Sequence, residues 1–219
     1  MRSILIALLA VTLSACGGGP RPPDWKQDSA SLIERFKKAE LKGQNKLAEG
    51  YFEQALSAVG SAAKIDEAAR LHLVRCATRQ ASLNFEPCSG YLDLARYGAN
   101  AKDETYFRFI SGKWGNLDAG KLPAQYRDFL ANRDPAKNAE LLRKIGDPLS
   151  RLVAVSITVM RKQADDSTLA LAAETAAEQG WRKPLLVYLK LLENRAVQKG
   201  DQAEVEKLRA RIRLVEGTL

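Results

Sequence analysis

Few residues of this chain have the types and spacing that reactive chemistry requires. His72 is the only histidine, and no known spacing of zinc ligands or of a serine nucleophile accompanies it. The run from Gly115 to Lys121 has the spacing of a phosphate-binding loop. Such a loop also needs a serine or threonine after the lysine and a helix that continues from it. Leu122 and Pro123 occupy those positions, so we expect an exposed connector and no nucleotide binding.

The remaining catalytic patterns are incomplete. Ser61 and Lys64 have the S-x-x-K spacing of the penicillin-binding serine enzymes, but the later S-D-N and K-T-G segments are missing. Carboxylate pairs such as Glu174 and Glu178 have the i, i+4 spacing of a solvated helix face. Some lytic transglycosylases combine helical superhelices with one catalytic glutamate, but the E-S and G-L-M-Q-like segments of that class are absent. We predict no catalytic residue, no cofactor and no metal, and a peptidoglycan-acting enzyme is the alternative.

Cys16 follows an apolar segment and precedes three glycines. Residues 4–13 are apolar apart from Thr12, and such a segment spans about 15 Å as a helix, half of a bilayer core of about 30 Å. This length is typical of a secretory signal peptide. Residues 13–16 (LSAC) resemble the lipobox of bacterial lipoproteins, which implies cleavage after Ala15 and fatty acylation of Cys16. An ordinary signal peptide with a coincidental cysteine is the alternative.

The lipoprotein resemblance divides the chain into three parts. Residues 1–15 are the signal peptide, residues 16–27 the lipid anchor with a glycine- and proline-rich tether, and residues 28–219 a single all-helical domain. The extended tether reaches up to about 35 Å. An aspartate after the cysteine usually means inner-membrane retention in lipoproteins. Gly17 stands there, so the resemblance implies the outer membrane, facing the periplasm.

Cys76 and Cys88 remain as a pair once Cys16 is acylated. Asn84 and Pro87 lie between them and indicate a turn between two helical stretches. Cysteines that flank such a hairpin can come within the roughly 7 Å that a bridge requires. Because disulfides persist in exported proteins, we predict one between Cys76 and Cys88. Two buried free thiols are the alternative.

Helix signals recur along residues 28–219, and strand signals are nearly absent. Asp134 and Asp147 are each followed by proline, and aspartates at 103, 166 and 201 can cap further helices. The pattern predicts ten or eleven helices joined by short turns, which makes neighbours antiparallel. Residues 152–160 are rich in β-branched side chains and could form a strand. No second strand is available to pair with it, which favours a buried helix.

Ala48, Phe52 and Ala55 return at a regular helical spacing, and the segments 29–42 and 44–58 have similar lengths. This pattern resembles the second helix of a tetratricopeptide repeat. The resemblance implies an all-α array of antiparallel helical hairpins, a tetratricopeptide-like or divergent α-solenoid. The pattern does not recur in a 34-residue register, so any packed α-bundle is the alternative.

Two groups of residues could bind a partner. Six aromatic residues lie between 106 and 129, where Trp114 and Tyr126 could serve as anchors. Alternatively, these rings fill the core. A basic run near the C-terminus could bind an acidic partner through Arg209, Arg211 and Arg213. Alternatively, this run forms a solvated outer face.

The formal net charge of +8 limits the chemical classes of partner that the protein can bind. An exported protein meets no nucleic acid routinely, so an acidic protein or anionic lipid headgroups are the better candidates, beside a basic surface without a partner. We expect a non-enzymatic adaptor or assembly factor that is anchored to the outer membrane through acylated Cys16. Its envelope protein partner is not identified by the sequence.

Overall fold

The computed structural model describes residues 22–98 and 100–217 of the 219-residue chain. Within these ranges it contains eleven α-helices and no β-strand. The helices are α1 (Asp24–Leu41), α2 (Asn45–Gly60), α3 (Ile65–Gln80), α4 (Ser89–Ala95), α5 (Ala101–Ile110), α6 (Arg127–Ala131), α7 (Asn138–Arg143), α8 (Pro148–Met160), α9 (Asp166–Glu178), α10 (Arg182–Lys199) and α11 (Gln202–Glu216). The predicted all-α class and helix number are confirmed, and most consecutive helices contact each other as hairpins.

The predicted signal peptide and Cys16 lie outside the described residues, so the lipid anchor stays a prediction. The helical domain begins earlier than residue 28, because α1 starts at Asp24, directly after two prolines. The Pro23 carbonyl accepts the N–H groups of Lys26 and Gln27 at 2.9 and 3.2 Å, and Asp24 lies in the first turn, where a carboxylate favours the helix dipole. None of the helices within 22–98 and 100–217 combines the length and apolarity needed to cross a bilayer.

Side-chain caps explain where four of the later helices begin, namely α5, α8, α9 and α11. Asp147 caps α8 as predicted, and its carboxylate accepts a hydrogen bond from the N–H of Ser150 at 2.6 Å. The caps of α5 and α9 are Asn100 and Asp165, and the predicted caps Asp103 and Asp166 are wrong. Both observed caps lie earlier in the chain, where their side-chain oxygens reach unpaired N–H groups of the first turn.

The β-branched segment 152–160 is part of α8, so the strand alternative is wrong. Every residue from 152 to 158 is buried, because α8 contacts α3, α5, α7 and α9. The buried hydroxyl of Ser156 donates to the Val153 carbonyl at 2.6 Å, and that of Thr158 to the Val155 carbonyl at 2.7 Å. A helix buried on all sides therefore carries no unsatisfied hydroxyl here.

The hairpin of α1 and α2 has a small apolar cluster of its own. Its buried members are Ile33, Phe36, Ala39, Ala48 and Phe52. The hairpin packs against α3, and α1 also contacts α10 from the far end of the chain. The helical hairpins therefore do not contact only their neighbours in sequence.

Cys76 and Cys88 form a disulfide, as predicted, with their Cα atoms 5.8 Å apart. The bond joins α3 to the residue before α4. His72 lies one turn before Cys76, and its ring packs 5.2 Å from that of Phe52. Gly90 in α4 leaves room for this imidazole, because any side chain at that position would overlap the ring. His72 is thus a half-buried packing residue.

Candidate binding groove

A groove of about 660 Å³ lies between α1 and α3 on one side and the start of α8 on the other. We call it the main groove. Its floor consists of aliphatic and aromatic side chains from six separate segments: Leu41, Val74, Ala77, Tyr106, Tyr126, Leu149, Val153 and Trp181. Exposed polar residues, among them Glu34, Lys38, Asp147 and Gln179, form its rim. The main groove combines an apolar floor with a polar, accessible edge, which is typical of binding sites.

Two tyrosines form the centre of the floor. Tyr126 is 2% exposed, and its ring stacks 5.9 Å from that of Tyr106. Burial raises the pKa of Tyr126 to about 12, although hydrogen bonds with Ser150 and Tyr106 oppose the shift. Burial also raises the pKa of Tyr106 well above its ordinary value. Both phenols are therefore protonated at neutral pH and can donate hydrogen bonds.

Trp114 is half-buried and Tyr126 is buried, so they do not form one exposed surface, and their role as partner anchors stays a prediction. Trp114 stacks on Phe109 at 5.7 Å, and its indole N–H donates to the Phe109 carbonyl at 2.9 Å. The guanidinium of Arg161 lies 4.2 Å from the centroid of the Trp114 ring. Tyr126 also packs against Phe109, with the two ring centroids 4.8 Å apart. These rings fill the core, because packing against one another removes their apolar faces from water.

The rim beside α1 is positively charged. Lys37, Lys38 and Lys42 line it, and Lys37 pairs with Glu34 at 2.6 Å. No carboxylate within the described ranges pairs with Lys38 or Lys42. On the opposite rim, Asp147 is engaged as the cap of α8. Two ammonium groups therefore line this edge without an ion-pair partner in the described chain, although Glu34 and Asp147 line the same groove.

A second cavity of about 470 Å³, the side basin, neighbours the main groove and shares the lining residues Val74 and Tyr106 with it. Four cationic side chains line the side basin: Arg70, Lys102, Lys121 and Arg127. The connector around Lys121, which resembles a phosphate-binding loop only in its spacing, supplies one wall. Lys121 is exposed there, as expected.

The charges of the side basin are only partly compensated. Arg70 pairs with Asp103 at 3.2 Å, and Lys121 lies 3.6 Å from Asp118. The guanidinium of Arg127 donates to two backbone carbonyls and so serves the connector. Lys102 is exposed and makes no ion pair with any carboxylate of the described chain. The side basin is therefore cationic as well.

The three C-terminal arginines lie in different surroundings, and their role in binding a partner stays a prediction. Arg209 pairs with Glu193 at 2.7 Å. Arg211 is half-buried and lines a separate cavity of about 370 Å³ between α9, α10 and α11. Arg213 is exposed in the last turn. Positions two apart on a helix are separated by about 200°, so Arg211 points away from the other two.

Glu40 is the one carboxylate among the described residues that is buried, at 1% exposure. It is not isolated: it pairs with Lys183 from α10, and its Oε2 lies 3.9 Å from Nε of Arg79. Glu40 does not line the main groove or the side basin. Glu174 and Glu178 are exposed on α9, as predicted. The buried carboxylate therefore serves packing between α1, α3 and α10.

Neither metal chemistry nor relatives identify the site. Residues 22–98 and 100–217 contain no cluster of three or more histidine, cysteine, aspartate or glutamate side chains that could hold a metal ion. No family model, curated protein or solved structure matches the chain. The function therefore has to be inferred from the geometry of the groove.

Proposed function

We propose that this protein is a non-enzymatic adaptor or assembly factor of the cell envelope. In this proposal, acylated Cys16 anchors it to the outer membrane, and the helical domain faces the periplasm. The observation that carries the proposal is the main groove together with the side basin. An aromatic floor beneath a cationic rim offers the buried anchor contacts and polar edge that protein partners use.

The state of the carboxylates favours an adaptor over a peptidoglycan-acting enzyme. A glycosidase acid requires a carboxyl group in an apolar site that keeps its proton. Glu34 pairs with Lys37, and Asp147 caps α8. Asp103 pairs with Arg70 in the side basin. Each carboxylate that lines the two cavities in the described chain thus has a cation or a backbone N–H group as its partner, and none lies alone in an apolar site.

The proposed anchor is tested by metabolic labelling. Cells that express the wild-type protein or Cys16→Ala are grown with an alkyne-tagged palmitate, and the purified proteins are compared. We expect label only on the wild-type protein, because the thioether-linked chain and the amino-terminal chain both depend on Cys16. The wild-type protein should also fractionate with outer membranes. Equal labelling of both proteins would rule out the proposed anchor.

The adaptor role is tested by site-specific photo-crosslinking in intact cells. Gln179, an exposed residue of the main-groove rim, is replaced by p-benzoylphenylalanine. The matched control carries the same group at Ala210, an exposed position on α11 that lines neither cavity. We expect a discrete larger species from position 179 only, and its loss when Lys38→Glu and Lys42→Glu are combined in the same chain.

Two outcomes would contradict the adaptor role. One is the absence of any adduct from position 179 in cells whose position-210 variant is equally abundant. The other is the release of soluble fragments from purified peptidoglycan by the protein, because an adaptor has no hydrolytic or lyase activity. A Glu34→Gln variant serves as the control for the second assay, since Glu34 is a carboxylate that lines the main groove.

A further inference from the structure

The main groove and the side basin together have the form of a track for an extended chain. The two cavities, of about 660 and 470 Å³, are neighbours that share the lining residues Val74 and Tyr106. A compact ligand would fill one of them and leave the other open. An extended peptide advances about 3.3 Å per residue and places successive side chains on opposite sides. It can therefore set apolar side chains on the floor along both cavities.

The charges of the two cavities define the chemistry of the occupant. Lys38 and Lys42 line the main groove, and Lys102 lines the side basin; none has a carboxylate partner in the described chain. Lys121 adds a further exposed ammonium group beside Lys102. Carboxylates of a peptide in the two cavities would meet these groups. Each exposed ion pair contributes little by itself, so the apolar floor has to supply much of the affinity.

The polar groups of the main groove favour a peptide over a lipid chain. The floor contains the protonated phenols of Tyr106 and Tyr126, and the rim contains Ser150 and Gln179. The two phenols and Ser150 hydrogen-bond one another, whereas the exposed amide of Gln179 can pair with a peptide carbonyl or N–H group, which an acyl chain does not offer. The exposed rim would also leave an acyl chain in contact with water.

We propose that the main groove and the side basin bind an extended acidic peptide segment of a partner protein. Apolar side chains of the peptide lie on the floor around Val74 and Tyr106. Its carboxylates lie beside Lys38 and Lys42 in the main groove and beside Lys102 and Lys121 in the side basin. This proposal rests on the adaptor function proposed above. It names the chemical class of the partner segment that the groove recognises.

The test uses the full-length protein in detergent micelles and a fluorescein-labelled ten-residue peptide. The peptide alternates glutamate with leucine and phenylalanine, and a control peptide has glutamine in place of every glutamate. Fluorescence anisotropy gives both dissociation constants in 50 mM and 500 mM salt. We expect the acidic peptide to bind at least tenfold more tightly in low salt, and this difference to shrink in high salt because of screening. Equal affinity for both peptides overturns the proposal.

Matched charge reversals locate the binding site. Lys38→Glu with Lys42→Glu should weaken binding of the acidic peptide at least tenfold. The control, Lys113→Glu with Arg213→Glu, makes the same change in charge near the ends of two other helices and outside both cavities. It should change the affinity less than twofold. Circular dichroism and thermal melting establish that both variants are folded, and equal effects of the two reversals overturn the proposal.

Two further arms separate the alternatives. Short-chain phosphatidylglycerol is titrated against the bound peptide, and complete displacement at concentrations below its micelle threshold would make the site one for anionic lipid. The photo-crosslinks from position 179 are independent of the peptide assay. If those crosslinks persist while the acidic peptide fails to bind, the adaptor function stands and the acidic-peptide proposal is refuted.

Discussion

The hairpin of α1 and α2 and the body of α3 to α11 are stabilised by different interactions. The body shares one extensive apolar core, which includes α8 and the rings of Phe109, Tyr126 and Phe129. The hairpin has a small cluster around Phe36 and Phe52. Apolar contacts join the hairpin to the body, since Leu71 and Val74 of α3 pack against the hairpin cluster and Leu41 of α1 belongs to the body core. The two regions therefore differ in the size of their apolar clusters and in the ion pairs at their junction.

Ion pairs surround the junction between the hairpin and the body. Glu40 of α1 pairs with Lys183 of α10 and approaches Arg79 of α3. The Glu49 carboxylate of α2 accepts hydrogen bonds from the guanidinium groups of Arg75 at 2.7 Å and Arg79 at 3.1 Å. Apolar contacts stabilise without strong directionality, whereas charged hydrogen bonds require a particular geometry. We infer that these pairs orient α1, and with it the lysine rim of the main groove.

The largest expected effect comes from the core of the body. Phe109 is fully buried among four aromatic rings, and Phe109→Ala should lower the free energy of unfolding by about 3–5 kcal/mol. Denaturant unfolding followed by circular dichroism measures this loss. Phe36→Ala, the matched change in the hairpin, should reduce hydrogen-exchange protection of α1 and α2 more than that of α8. Equal loss of protection in both regions would contradict the proposed difference.

The ionic junction gives the next effect. Lys183→Ala leaves the Glu40 carboxylate buried with Arg79 as its remaining cationic neighbour, and should cost about 3 kcal/mol of stability. The double change Glu40→Leu with Lys183→Met should recover most of that loss, because it removes the buried charge together with its partner. Denaturant midpoints of the three proteins provide the test. A loss below about 0.5 kcal/mol in Lys183→Ala would indicate a pair of the weak, exposed type.

Loss of the disulfide should act on the body and not on the junction. Opening the Cys76–Cys88 loop removes a constraint of at most about 3 kcal/mol in the chain-entropy model. We expect a reductant to lower the melting temperature in calorimetry, and to have no effect on a variant with serine at both positions. The serine variant should keep the hydrogen-exchange protection of α1 and α2. Free alkylation of both thiols without reductant would contradict the prediction.

The smallest expected effect depends on pH. Burial, with Arg75 nearby, lowers the pKa of His72 below its ordinary value of 6.5. As the pH falls below 6.5, the unfolded chain therefore binds more protons than the folded protein. The free energy of unfolding decreases as the pH falls from 6.5 to the lower pKa of the folded state. Unfolding free energies at pH 7.5, 6.5 and 5.5 should show this decrease, and His72→Gln should flatten it. An unchanged slope in the variant would assign the titration to another group.

Local signals were sufficient for several features. The cap and proline at 147 and 148 define the start of α8, because they act within one turn. Cys76 and Cys88 lie close enough in sequence for a turn to bring them together. Local signals could not decide between the two interpretations of Tyr126, as a core residue or as an exposed anchor. An aromatic side chain suits either a core or an exposed anchor, and only the packing of Phe109 and Tyr106 against it decided the matter.

The sequence by itself determined the helical class, the approximate number of helices and the disulfide, because periodicity, caps and short loops act over a few residues. Only the tertiary structure decided that Glu40 is buried, since its partner Lys183 is 143 residues away. It also decided the main groove, whose floor combines residues as distant as Leu41, Tyr106 and Trp181. None of these residues carries a local signal of its role, because that role arises from the packing of helices that are remote in sequence.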